Sequence, residues 1–115
     1  MIKSVALCYR NPALTHEEFR DYWENTHVPL VKRSMPGLSL YKGSFPLSDF
    51  RPGQPVSAFD CDAIVELGFP DRETMDAAFH SKEFTSPERD ASSRKLLDMD
   101  RTVSMIVEEI EVDLD

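Results

Sequence analysis

Nowhere in its 115 residues does an apolar run approach the ~20 residues a bilayer-spanning helix needs. No membrane role is expected. Positive charge is scarce, with 13 Lys and Arg against 21 Asp and Glu for a net charge of −8. That balance repels phosphate backbones and anionic lipid, so neither nucleic acid nor a membrane surface is an expected partner. The two cysteines, Cys8 and Cys61, lie far apart inside apolar runs and form no C-x-x-C pair. Structural zinc is thereby unsupported, and buried reduced thiols in a cytoplasmic protein are expected. The four glycines are scattered, which excludes a dinucleotide fingerprint and a P-loop. His16-Glu17 opens like a zincin motif, but Arg20 stands where the second histidine belongs. A G-x-S-x-G elbow is missing too. No cofactor and no metal are expected. Met1-Ile2-Lys3-Ser4 begins a strand pattern and lacks the long apolar stretch of a signal peptide.

What the chain does contain is ordinary for a folded protein: 41% hydrophobic and 30% charged residues. Its length suits one domain spanning residues 1–115. Residues 2–10 alternate at period two, with Val5, Leu7 and Tyr9 on one side and Ser4, Ala6 and Cys8 on the other, which predicts a strand. Thr15-His16-Glu17-Glu18 is a capping box that opens a helix carrying Phe19, Tyr22, Trp23, His27 and Leu30 on one face. Pro29 leaves the carbonyl of Asn25 without its partner, so the helix is expected to loosen near His27. Leu38–Phe45 reads as a second strand, and Pro46–Phe59 as a long loop and candidate lid. Asp60–Phe69 predicts a third strand, with Ala63, Val65, Leu67 and Phe69 facing the core and Asp62, Ile64, Glu66 and Gly68 facing away. Asp71 caps a short helix. Ser86-Pro87-Glu88 opens another to about Met99, and Thr102–Val112 closes the chain as a strand.

The order β-α-β-β-α-β, with an extra short helix, predicts an α+β fold: a two-layer ferredoxin-like sandwich. Helices cover only one sheet face. The other is assigned Ile64, Cys8, Ala6, Ile106 and Ile110, too apolar to be left wet, so a second copy of the chain is expected to cover it.

His27 is the first chemical candidate, because a histidine on the buried stripe beside a helix break can serve as general acid or base. It could equally be a half-buried ring donating to a freed carbonyl. The Tyr41 phenol could donate to a developing oxyanion or simply pack on the sheet. Glu66 would gain an elevated pKa inside an apolar cavity, and would be a solvated or interface charge at an edge. Asp62 and Glu66 stand roughly 13 Å apart along their strand, too far for a carboxylate pair acting on one bond.

The segment Leu14-Thr15-His16-Glu17-Glu18-Phe19-Arg20-Asp21-Tyr22-Trp23, then His27-Val28-Pro29-Leu30-Val31, Met35-Pro36-Gly37 and Tyr41, resembles the EthD-like family. Asp62–Phe69 resembles its third strand and Ser86-Pro87-Glu88 the opening of its last helix. The resemblance implies a dimeric α+β barrel with a cleft between sheet and helices. It also implies kinship with cofactor-free lactone isomerases and with polyketide cyclases, dehydratases and decarboxylases. His27, Tyr41 and Glu66 match the residues implicated there. Leu67 stands where the muconolactone-type isomerases carry cysteine. The expected function is therefore a cofactor-independent lyase or isomerase of a small oxygenated aromatic or polyketide-like compound. In it His27 moves the proton, Tyr41 holds the oxyanion and Glu66 relays, while Trp23, Phe19, Asp62 and Cys8 contact the substrate. Two alternatives are a haem-binding or haem-degrading barrel and a non-catalytic small-molecule-binding protein.

Overall fold

The computed structural model describes residues 1–47, 51–53 and 60–115. Most of the loop expected over Pro46–Phe59, with its lid role, lies outside the described residues. Along the chain run β1 (Ile2–Cys8), α1 (His16–Tyr22), a π-helical turn (Trp23–His27), α2 (Val28–Ser34), β2 (Leu40–Ser44), β3 (Ala63–Phe69), α3 (Arg72–Phe79), α4 (Pro87–Leu96) and β4 (Val103–Glu108). The strands form one sheet in the order β2-β3-β1-β4, every neighbour antiparallel. With β1 and β3 central and the helices packed on one face, this is the ferredoxin-like α+β fold expected from the element order.

Local chemistry explains the helix starts. The Thr15 hydroxyl accepts from the Glu18 N–H at 3.1 Å while the Glu18 carboxylate accepts from the Thr15 N–H at 2.8 Å. Asp71 and Ser86 cap α3 and α4 through the Thr74 and Arg89 amides. Substituting Ala for Thr15 is expected to cost about 1 kcal/mol of stability, read as a lower urea midpoint with an unchanged m-value.

The loosening expected at Pro29 takes a definite form. Pro29 has no N–H for the Asn25 carbonyl, and the Val28 N–H reaches back five residues to the Trp23 carbonyl, closing a π turn. In a regular α-helix eight residues from Phe19 would leave His27 about 80° off the line through it. The wider turn absorbs much of that offset. Phe19 and His27 consequently share the buried face, at 2% and 8% exposure.

Two elements end earlier than the sequence suggests. Helix α4 stops at Leu96 because Leu97 turns extended and bridges Arg10. Strand β4 stops at Glu108, and the last bond beyond it runs from the Glu109 N–H to the Met1 carbonyl.

The sheet faces require a correction. Ser4, Ala6 and Cys8 lie opposite Ile106, Ser104 and Ala63 in the strand registers, and directly paired residues share a side. Since Ser4, Ala6, Cys8 and Ser104 line the cavity beneath the helices, Ala6, Cys8 and Ile106 belong to the helix-covered face. Ile110 lies beyond the strand. The open face instead carries Val5, Leu7, Ile64, Val103, Met105 and Val107, with Met105 68% exposed. Lys3 shares it, its ammonium 2.6 Å from Glu66 and 2.5 Å from Glu109.

Candidate active site

Between sheet and helices two apolar clusters fill opposite ends of the core. Val31, Met35, Phe69, Met75 and Ala78 form one, and Cys8, Phe19, Ala63 and Leu96 the other. The space between them is a cavity of about 240 Å³. Its floor is made of short sheet side chains, Ser4, Ala6 and Cys8 of β1 and Ser104 of β4, so the room is left by the residue sizes of these two neighbouring strands. Phe19, Trp23, His27 and Val31 hang from the π-interrupted helix. Tyr41, Val65 and Leu67 rise from the sheet, and Phe79, Phe84, Arg89 and Ser93 close one side.

His27 is held by its own helix and by α4. Its Nδ1 lies 2.9 Å from the Ser92 hydroxyl, which lies 3.2 Å from the Tyr22 hydroxyl. Because Ser92 carries one proton between two partners, the chain of three groups has two consistent settings. Either Ser92 donates to Nδ1 and leaves Nε2–H as a donor, or Nδ1–H donates to Ser92 and leaves Nε2 as a free base. Burial, followed by the positive charge of Arg89, pushes the imidazole down from 6.5 to about 4. His27 is thus neutral at physiological pH and available in either setting.

Tyr41 packs edge-on against Trp23, ring centroids 5.7 Å apart. Burial raises its phenol well above the ordinary value, which keeps the hydroxyl protonated. Burial also pushes the Cys8 thiol up to about 12, which keeps it protonated and poorly nucleophilic. Trp23 is itself positioned by Gly43: a Cβ there would sit 2.7 Å from Cζ2 of the indole. Gly43→Ala is therefore expected to displace the ring at a cost of about 1–3 kcal/mol, with a shift in the emission of this single tryptophan.

Five of the seven expected site residues come together: His27, Tyr41, Trp23, Phe19 and Cys8 all line the cavity. Glu66 and Asp62 do not. Glu66 falls on the opposite sheet face, paired with Lys3, because it alternates with the cavity-lining Val65 and Leu67. Asp62 accepts the Arg10 N–H at 2.8 Å and meets His16 Nε2 at 3.0 Å, pinning the β1–α1 connection. Sequence reasoning missed Ser92 and Arg89. Two adjacent serines inside a helix, where serine is a modest helix former, were the available signal for the first. Among the described residues no three His, Cys, Asp or Glu side chains gather as metal ligands.

A ferredoxin-like sheet with a histidine-bearing cavity under its helices defines an α+β protein built around a small-molecule-sized chamber. The chain belongs to the EthD family: the EthD domain model matches residues 11–100. It is similar to the structure of an ethyl tert-butyl ether D (EthD) family protein from Bacillus halodurans, at 24% identity and TM-score 0.71, covering 96% of this chain and 99% of that one. An EthD-like protein from Ralstonia eutropha matches at 19% identity and TM-score 0.63, covering 93% and 90%. A dimeric ferredoxin-like protein of unknown function from Thermobifida fusca matches at 16% identity and TM-score 0.60, covering 92% and 88%. At these identities the likeness is one of fold. No curated protein matches the chain.

Proposed function

We propose that the cavity carries out cofactor-independent proton transfer on a small oxygenated aromatic or polyketide-like molecule, as a lyase or isomerase. The observation that supports this most is the buried, neutral His27, oriented by the Ser92–Tyr22 pair in a largely apolar chamber. With Nδ1–H donating to Ser92, Nε2 takes a proton from the carbon beside a substrate carbonyl. The Tyr41 phenol donates to the oxygen that gains the charge. The imidazolium then returns its proton, to a different carbon in an isomerisation or to a departing hydroxyl in a dehydration. A histidine of such low basicity suits an acidic C–H, such as one flanked by two carbonyls. The relay expected of Glu66 passes to Ser92 and Tyr22.

The test is exchange in heavy water. Hydroxylated aryl 1,3-diketones and unsaturated lactones are incubated with the protein, and deuterium uptake beside the carbonyl is followed by NMR. Uptake above the buffer rate that disappears in His27→Gln is expected. Compounds that bind yet exchange no faster than in buffer would overturn the reading in favour of a carrier.

The same proposal includes a homodimer in a cytoplasmic setting. The open face bearing Val5, Leu7, Ile64 and Met105 suits a second sheet, and the Thermobifida fusca neighbour is described as dimeric. Both cysteines are buried free thiols, which suits a reducing compartment. Met105→Asp is expected to halve the mass measured by light scattering while leaving the circular dichroism unchanged. A variant that keeps the wild-type dimer mass would remove this face from the interface.

A further inference from the structure

The charge inside the cavity is one-sided. Among the described residues lining it, Arg89 is the only ionised side chain and none is Asp or Glu, although the chain as a whole is at −8. The guanidinium lies 4.1 Å from the centroid of the Phe84 ring. Its Nε donates to the Phe84 carbonyl at 2.6 Å and one terminal nitrogen donates to the Ser93 hydroxyl at 2.8 Å. Both acceptors are neutral. They fix the direction of the fork without offsetting its charge.

The obvious counter-ions are engaged elsewhere. Glu88 pairs with Arg33 at 3.3 Å and Asp90 with Arg94 at 2.9 Å, so the two acids flanking Arg89 in sequence both make their direct contacts with other cations, and Asp90 acts on Arg89 only through space. Arg89 also sits in the first turn of α4, where the helix dipole disfavours a cation. Helix formation does not account for its placement, and ion pairing among the described residues does not either. A partly buried cation in an apolar chamber, with a guanidinium edge left over, has the form of an anion receptor awaiting its anion.

We propose that Arg89 makes this cavity selective for substrates carrying a carboxylate, which it holds beside His27. The proposal rests on the proton-transfer reading for the word substrate, but the binding preference stands on the cavity alone. A consequence follows for the histidine. The other polar groups around His27 are the Ser92 and Tyr22 hydroxyls from the helices and, lining the same cavity, Tyr41 and Cys8 from the sheet, whose protons burial holds in place. Arg89 therefore supplies the nearby charge that lowers its basicity. A carboxylate docked on Arg89 cancels that charge and leaves His27 a stronger base, so the ligand's own anion prepares the group that attacks it.

Salicylate and its neutral counterpart salicylamide are suitable probes, followed by NMR titration of the purified full-length protein. Salicylate is expected to bind about tenfold or more tightly than salicylamide, and to move the His27 titration midpoint upward. Arg89→Gln should abolish the preference by weakening salicylate far more than salicylamide, and Arg89→Lys should restore part of it. An unchanged circular dichroism spectrum and urea midpoint confirm that the variants are folded. Equal affinities, no binding of either compound, or a preference that survives Arg89→Gln would overturn the proposal. Carboxylate preference without deuterium exchange on any compound would leave Arg89 as assigned and remove the catalytic reading instead.

Discussion

His27→Gln is expected to lower kcat by about 10²–10⁴, with KM changed far less. Glutamine keeps a polar group near Ser92 but cannot take and return a proton, so the loss falls on the chemical step. Because catalysis begins from the neutral ring, protonation removes activity: kcat/KM should stay level from pH 8 down to pH 5 and fall only as the free protein passes its midpoint near 4. The kcat profile, which reports the complex, should turn down at a higher pH if a bound carboxylate offsets Arg89. Steady-state rates across that range check all of this, and a His27→Gln variant within threefold of the wild-type rate would remove His27 from the reaction.

Acid is the second large lever. Folding takes the imidazole from about 6.5 to about 4, so the unfolded chain binds a proton that the folded one refuses. Stability contributed by the neutral ring is complete above pH 6.5 and is lost as the pH falls toward 4. The loss amounts to about 3 kcal/mol at 1.36 kcal/mol per unit. Against a total of about 5–15 kcal/mol, that is a large fraction. The decline begins well above the range where Glu18, Asp71, Asp90 and Glu109 protonate, since hydrogen bonds hold all four carboxyls below their ordinary values. Urea unfolding of wild type and His27→Gln at intervals between pH 7 and 4 should therefore give curves that converge as the pH drops. Parallel curves would show that His27 titrates alike in both states.

Much of this was legible in the chain because it is written locally. Thr15 with Glu18, Asp71, and Ser86 with Pro87 announce their helices by chemistry within one turn. Pro29 announces the break at His27 through a single missing N–H. The element order then admits the ferredoxin-like arrangement. Which sheet face meets the helices is a different kind of fact. Both sides of β1 are apolar or small, and a period-two pattern names two sides without saying which is inside, so nothing local turns Ala6, Cys8 and Ile106 toward the helices. Glu66 followed the same uncertainty, since its environment depends wholly on that choice. Arg89 was hidden by its neighbours, because Glu88, Arg89 and Asp90 read together as a solvated helix face. Only the pairing of both acids with other arginines shows that the middle residue has no direct ion pair among the described residues.

The π turn also shapes how this protein can change over evolutionary time. Such a turn is the footprint of one residue more than a regular helix would hold, and its effect on His27 is discrete. A single deletion ahead of His27 within the turn would restore α-helical bonding in one step and leave the histidine seven residues from Phe19, about 20° off the line through it, so the imidazole would keep its place over the chamber. Point substitutions cannot take half that step. Divergent members of such a lineage should fall into two groups by helix length, one keeping the extra residue and the other having shed it, with the imidazole retained in both.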